Sequence, residues 1–196
     1  MLDREEVVRS LTGAWELFLD RPDAVRRFDV SVAGFWRSFQ AILLVAPLYA
    51  LASFAERQAI LADPAGAAGF DDTLFALDRV LSLAIDWVTL PIILALIAGR
   101  IGIARTYPAF IVARNWGAVL SMLPFGLIGL AMGLGWIDGE AAQILSLAGL
   151  FLVLRYSYLI ARRALEVPAA IAIALVVGDF LLSLAIAASV DAIFGQ

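Results

Sequence analysis

The sequence predicts an all-α, polytopic membrane protein, a five-helix transmembrane bundle preceded by an N-terminal amphipathic interfacial helix, and three observations carry that expectation. Mean hydropathy is +0.93, and 63% of the 196 residues are hydrophobic against 16% charged, too little polar surface to cover a soluble globule. The apolar residues gather in five stretches, each long enough to cross a bilayer. The arginines concentrate in alternate connections between those stretches, the pattern of a multi-span chain obeying the positive-inside rule. Residues 1–30 read as a charged cytoplasmic segment and 31–196 as a single transmembrane domain.

Between Asp3 and Asp20, the side chains Val7, Val8, Leu11, Trp15, Phe18 and Leu19 recur at spacings of three and four, with Arg4, Glu5, Arg9, Thr12 and Glu16 between them. That is the pattern of an amphipathic helix. Asp3 followed by Glu6 has the form of a capping box, and Arg21-Pro22-Asp23 supplies a stop. With Trp15 and Phe18 on one face the helix suits the membrane interface; because its polar face is mixed in charge rather than basic, packing on the protein's own cytoplasmic face is the alternative. The segment is too charged for a signal-peptide core, so the first span is expected to act as its own insertion signal.

The first span covers about 33–55, with Phe35 and Trp36 at the aromatic belt and Pro47 near its centre. Glu56 to Thr73 is acidic and rich in turn-formers, and reads as a loop. The second span, about 74–98, ends at the cationic turn Gly99-Arg100-Ile101-Gly102. Pro108 suits the first turn of a third span, about 107–135, which contains Arg114 and Pro124. A short acidic turn leads to the fourth span, about 141–160, closed by Tyr156, Tyr158, Arg162 and Arg163; the fifth, about 168–190, carries Asp179 at its centre. Arginine placement puts the N-terminus in the cytoplasm and the C-terminus on the far side. All 14 basic residues are arginine, which suggests GC-rich bacterial coding, and hence the bacterial inner membrane with a periplasmic C-terminus.

The chain contains no histidine and no cysteine. This excludes Cys/His zinc sites, thiolate-held clusters, His-ligated haem and His-based nucleophilic triads. The sequence therefore implies no cofactor, no metal and no enzyme, and a pI of 4.8 without a basic stripe argues against nucleic acid. The lipid bilayer is the expected partner.

Charges inside the spans are the candidate functional residues, because an ionisable group in hydrocarbon is costly. At about 1.5 Å per residue, Asp86 lies roughly 20 Å from the arginine turns, Asp179 about 16 Å, Arg114 about 13 Å and Arg155 about 12 Å. These four form a broad, formally neutral layer. Arg114 and Arg155 either snorkel or pair with Asp179 and Asp86, Asp179 being the better matched in depth. Alternatively Asp86, with Thr89 one turn on and backbone freed by Pro91, contributes to a proton or cation site facing a polar cavity. Gly129 with Gly133, and Ala170, Ala174 and Gly178, lie in small-x-x-x-small register. These mark helix packing within the chain, or docking faces for a partner subunit or a second copy.

The layout resembles the Yip1 family: a cytoplasmic N-terminal segment, five spans, and a Gly/Arg turn before an aromatic-starting third helix with a central proline. The residues that carry it are Phe35 to Phe39, Gly99-Arg-Ile-Gly102, Tyr107-Pro-Ala-Phe110 and Leu123-Pro124. The Asp-Leu-Tyr-Gly-Pro type signature and the longer soluble region of eukaryotic members are missing, so their trafficking activity does not carry over. The resemblance implies a non-enzymatic accessory, scaffold or membrane-organising role and transfers no functional residue. Against it stands a small proton- or cation-coupled transporter or channel using Asp86 and Asp179.

Overall fold

The computed structural model describes residues 3–194, the side chains of residues 65 and 66 excepted. Among the described residues the regular structure is all helical: α1 (Arg4–Phe18), α2 (Val32–Ser38), α3 (Ile42–Ala62), α4 (Pro64–Ala67), α5 (Asp72–Ile97), α6 (Tyr107–Gly133), α7 (Gly139–Leu165) and α8 (Ala169–Phe194). Five helical segments are long and apolar enough to cross a membrane; α2 and α3, joined by a single 3₁₀ turn, form the first of them.

Two segments outrun their sequence-based ends for local reasons. The first continues to Ala62, through the stretch expected to be loop, because nothing breaks the helix before Asp63-Pro64. The fourth continues to Leu165, where Glu166 adopts a left-handed conformation (φ 56°) just before Val167-Pro168.

Helix α6 is the axis of the bundle. Its first half is buried nearly all round, from Phe110 to Gly117, among α1, α2 and α7. Its second half lies against α3, and glycine decides how closely. A Cβ on Gly129 would stand 2.5 Å from the Leu51 carbonyl carbon, and nearer still to its oxygen; one on Gly126 would meet the Leu48 oxygen at 3.0 Å, and one on Gly133 the Phe54 ring at 3.1 Å. The Gly129/Gly133 register is therefore a packing face within the chain. The other register is not: Ala170, Ala174 and Gly178 are exposed, and nothing lies within 4 Å of the Gly178 Cβ position.

The amphipathic pattern of the N-terminus locates the helix, and part of its apolar set turns inward: Val7, Leu11 and Phe18 pack against the core. Glu6, Ser10, Gly13, Ala14 and Leu17 are the buried residues of α1, whereas Val8, Trp15 and Leu19 point outward. Small residues win because the contact is made backbone to side chain, with Tyr156 Oη donating to the Ala14 carbonyl at 2.8 Å. The capping box is also incomplete. Asp3 accepts from the Glu5 amide at 3.3 Å, but Glu6 turns inward and accepts from Arg37 Nε at 2.6 Å. Arg37 further binds Asp29 at 2.7 Å and Arg27 binds Glu16 at 2.5 Å, which ties α1 to the linker and to α2. The Arg27 guanidinium holds the Glu16 carboxyl below the ordinary glutamate range. The Asp29 carboxyl is lowered in the same direction, chiefly by its hydrogen bonds from Ser31.

Helix α8 is apolar all round and only Ala172 and Val190 are buried along it. Burial therefore does little to choose which face meets the bundle. Three polar contacts do so: Asp179 with Arg114 of α6 at 3.3 Å, Ser183 with Asp86 of α5 at 2.5 Å, and Asp191 with Arg79 of α5 at 2.5 Å.

Candidate functional site

Three of the four anticipated charges meet in one place. Asp86 on α5, Arg114 on α6 and Asp179 on α8 line an open cavity of about 260 Å³, with side chains of α3 and α7 completing its lining. Position on each helix explains the convergence. Asp86 follows Asp78 and Ser82 at four-residue steps, so all three share one face of α5; Asp179 and Ser183 share a face of α8 in the same way. Those two faces meet, because α5 and α8 pack on each other.

The polar groups are unevenly matched. Asp179 accepts a hydrogen bond from Arg114 Nη2 at 3.3 Å, and Asp86 Oδ1 accepts one from Ser183 Oγ at 2.5 Å. Among the described residues this is the one hydrogen bond that Asp86 makes, and Arg114 commits one of its five N–H donors. The charged residues of the lining are two carboxylates and one guanidinium, which leaves one carboxylate in excess. Trp87 also lines the cavity; it is 6% exposed, and its Nε1 has no partner among the described residues. A buried donor without an acceptor costs roughly 1–3 kcal/mol, which makes it a feature that asks for a function.

Toward the end of the bundle that carries the arginine turns, the space narrows. Beyond the Arg114–Asp179 pair remains a pocket of about 30 Å³ walled by Leu90, Leu94, Phe110 and Ile160. Tyr107 Oη donates to the Pro91 carbonyl at 3.0 Å, joining the start of α6 to α5 at its internal proline. Proline 91 also leaves the Trp87 carbonyl without its helical donor.

Arg155 is not part of this site. It donates through Nη1 to the Phe18 carbonyl at 3.1 Å and lies 5.9 Å from the Phe18 ring centre, so it caps the C-terminal end of α1. Depth along a helix put it in the same layer as Asp86, but its direction around α7 takes it to another surface. Thr89 is also absent from the lining; its hydroxyl donates back to the Ile85 carbonyl at 2.6 Å.

Sequence reasoning missed Ser183, Trp87 and Tyr49 in the lining, and a second cluster near the opposite end. There Arg79 binds Glu56 of α3 at 3.0 Å, Asp191 of α8 at 2.5 Å and its own neighbour Asp78, whose side chain is fully buried. The available signal was the repeat Asp78, Ser82, Asp86, a polar stripe at helical spacing in an otherwise apolar span.

No known family model, curated protein or solved structure matches this chain.

Proposed function

We propose that the chain is a multi-pass inner-membrane protein, N-terminus cytoplasmic, that works as a small proton- or cation-coupled transporter centred on Asp86. One observation carries this reading: Asp86, Arg114 and Asp179 converge on a single cavity midway along the helices. Arg114 neutralises Asp179, so Asp86 holds the uncompensated charge, and a proton or a bound cation is what would balance it in a low-dielectric setting. Tyr49, Arg114, Ser121, Ser157, Asp179 and Ser183 are the polar groups that share the lining with it from the other helices. The apolar constriction at Leu90, Leu94 and Phe110 acts as the barrier toward the cytoplasm.

The test is flux in proteoliposomes under an imposed pH or cation gradient. Asp86→Asn keeps the shape and removes the charge, and should abolish gradient-dependent uptake; flux retained by that variant would sink the proposal.

The accessory or scaffold role implied by the Yip1-like layout is supported by a different observation, the exposed Ala170–Ala174–Gly178 face of α8. The outward Val8, Trp15 and Leu19 of α1 similarly suit contact with the membrane interface. A stoichiometric membrane partner retained on purification from native membranes would favour that role over an autonomous transporter.

A further inference from the structure

We propose that the Asp86 cavity is a binding site for a small organic ammonium ion that also carries a hydrogen-bond acceptor. The inference rests on the transport reading only for its purpose; its physical basis is the lining itself. The excess carboxylate calls for a cation rather than an anion. An inorganic divalent cation would need a shell of several oxygens, about six for Mg²⁺ and six to eight for Ca²⁺, and the described residues contain no group of three or more His, Cys, Asp or Glu side chains placed to hold a metal. Three aromatic side chains share the lining with Asp86: Tyr49 from α3, Trp87 from α5 and Phe125 from α6. Aromatic side chains with one uncompensated carboxylate are the chemistry that selects an alkylated or primary ammonium over a hydrated metal ion.

The remaining polar groups describe the rest of the ligand. Arg114 has N–H donors left over after its bond to Asp179. A ligand with a hydroxyl or carboxylate a few atoms from its cationic head would satisfy a donor while neutralising Asp86. Size sets the upper bound. A cavity of about 260 Å³ holds the volume of roughly nine water molecules at about 30 Å³ each, which admits a ligand of fewer than about ten non-hydrogen atoms.

The experiment is equilibrium titration of the purified, detergent-solubilised full chain with choline and, separately, with potassium ion, followed by tryptophan fluorescence. Choline is expected to give a saturable change. That change should disappear in Trp87→Phe, which keeps an aromatic wall but removes the reporting indole, and the affinity should fall by about tenfold or more in Asp86→Asn. Tetramethylammonium, which has the charge without the acceptor, should bind more weakly than choline. Gel filtration of each variant checks that it is folded; if Asp86→Asn is not, Ser183→Ala, which loosens Asp86 without removing it, should still shift the choline affinity. No saturable response to choline, an equal response to potassium, or choline affinity unaltered in a folded Asp86→Asn or in Ser183→Ala overturns the proposal. Binding and flux fail separately: choline bound without Asp86-dependent flux leaves the site and removes the transporter, whereas flux without choline binding does the reverse.

Discussion

Replacing Gly129 by alanine should open the bundle along its tightest seam, while the same change at Gly178 should be harmless. An alanine Cβ at 129 would stand 2.5 Å from the Leu51 carbonyl carbon, whereas ordinary carbon–carbon contact is about 3.5–4.0 Å. The obstacle is backbone within a helix, which cannot rotate aside as a side chain can. Relief therefore requires α3 and α6 to separate locally by about 1 Å or more, lifting the neighbouring Gly126 and Gly133 contacts as well. Overpacking of this kind costs about 1–3 kcal/mol, and the backbone constraint puts this case at the upper end. Alanine's helix propensity returns up to about 1 kcal/mol at either site. Since nothing lies within 4 Å at Gly178, the gain stands alone there, and the two variants should differ by about 2–3 kcal/mol. Survival of the monodisperse gel-filtration peak after heating in detergent measures the ordering. A Gly129→Ala protein that withstands heat as well as the parent would refute the assignment of this seam.

Arg79→Gln should be the most damaging of the charge deletions, by about 3–5 kcal/mol, because it strands the fully buried Asp78 beside Glu56 and Asp191. Asp78→Asn in that background should recover part of the loss, and a cycle showing no coupling between the two would contradict the cluster. Acidification should loosen the ion pairs that tie α1 and α2 to the linker between them. The carboxyls of Glu16 and Asp29 are depressed in the folded chain, so their contribution is complete above the ordinary carboxylate range of about 4 and fades as pH falls through their folded values. Amide exchange in α1, corrected for intrinsic rates, should accelerate below about pH 4, and equal protection at neutral and acid pH would count against it.

The apolar seam and the candidate site were legible to different degrees. Gly129 and Gly133 announced themselves by spacing, yet Ala170, Ala174 and Gly178 have the same spacing and are exposed, with nothing within 4 Å of the Gly178 Cβ position. Small residues permit a close approach; they do not say whether a neighbour exists to make it. Likewise the N-terminal helix was evident from its period, but Val8 and Trp15 face outward while Gly13 and Ala14 face in beside Leu17. Close packing on α7 and the bond from Tyr156 outweighed the simple count of apolar residues per face.

The number of long apolar segments and most of their boundaries to within a few residues follow from the sequence alone, because propensity, breakers and composition act locally. So does depth, since each helical residue advances about 1.5 Å. Direction around the helix axis does not follow, and it separates Arg155, which caps α1, from Arg114, which meets Asp179. In a helix as uniformly apolar as α8, facing lipid or facing a neighbour are nearly equivalent for most side chains, so hydrophobic pattern cannot choose between them. Only the assembled bundle, through Asp179, Ser183 and Asp191 finding their partners, decides which face turns inward and thereby gathers the cavity around Asp86.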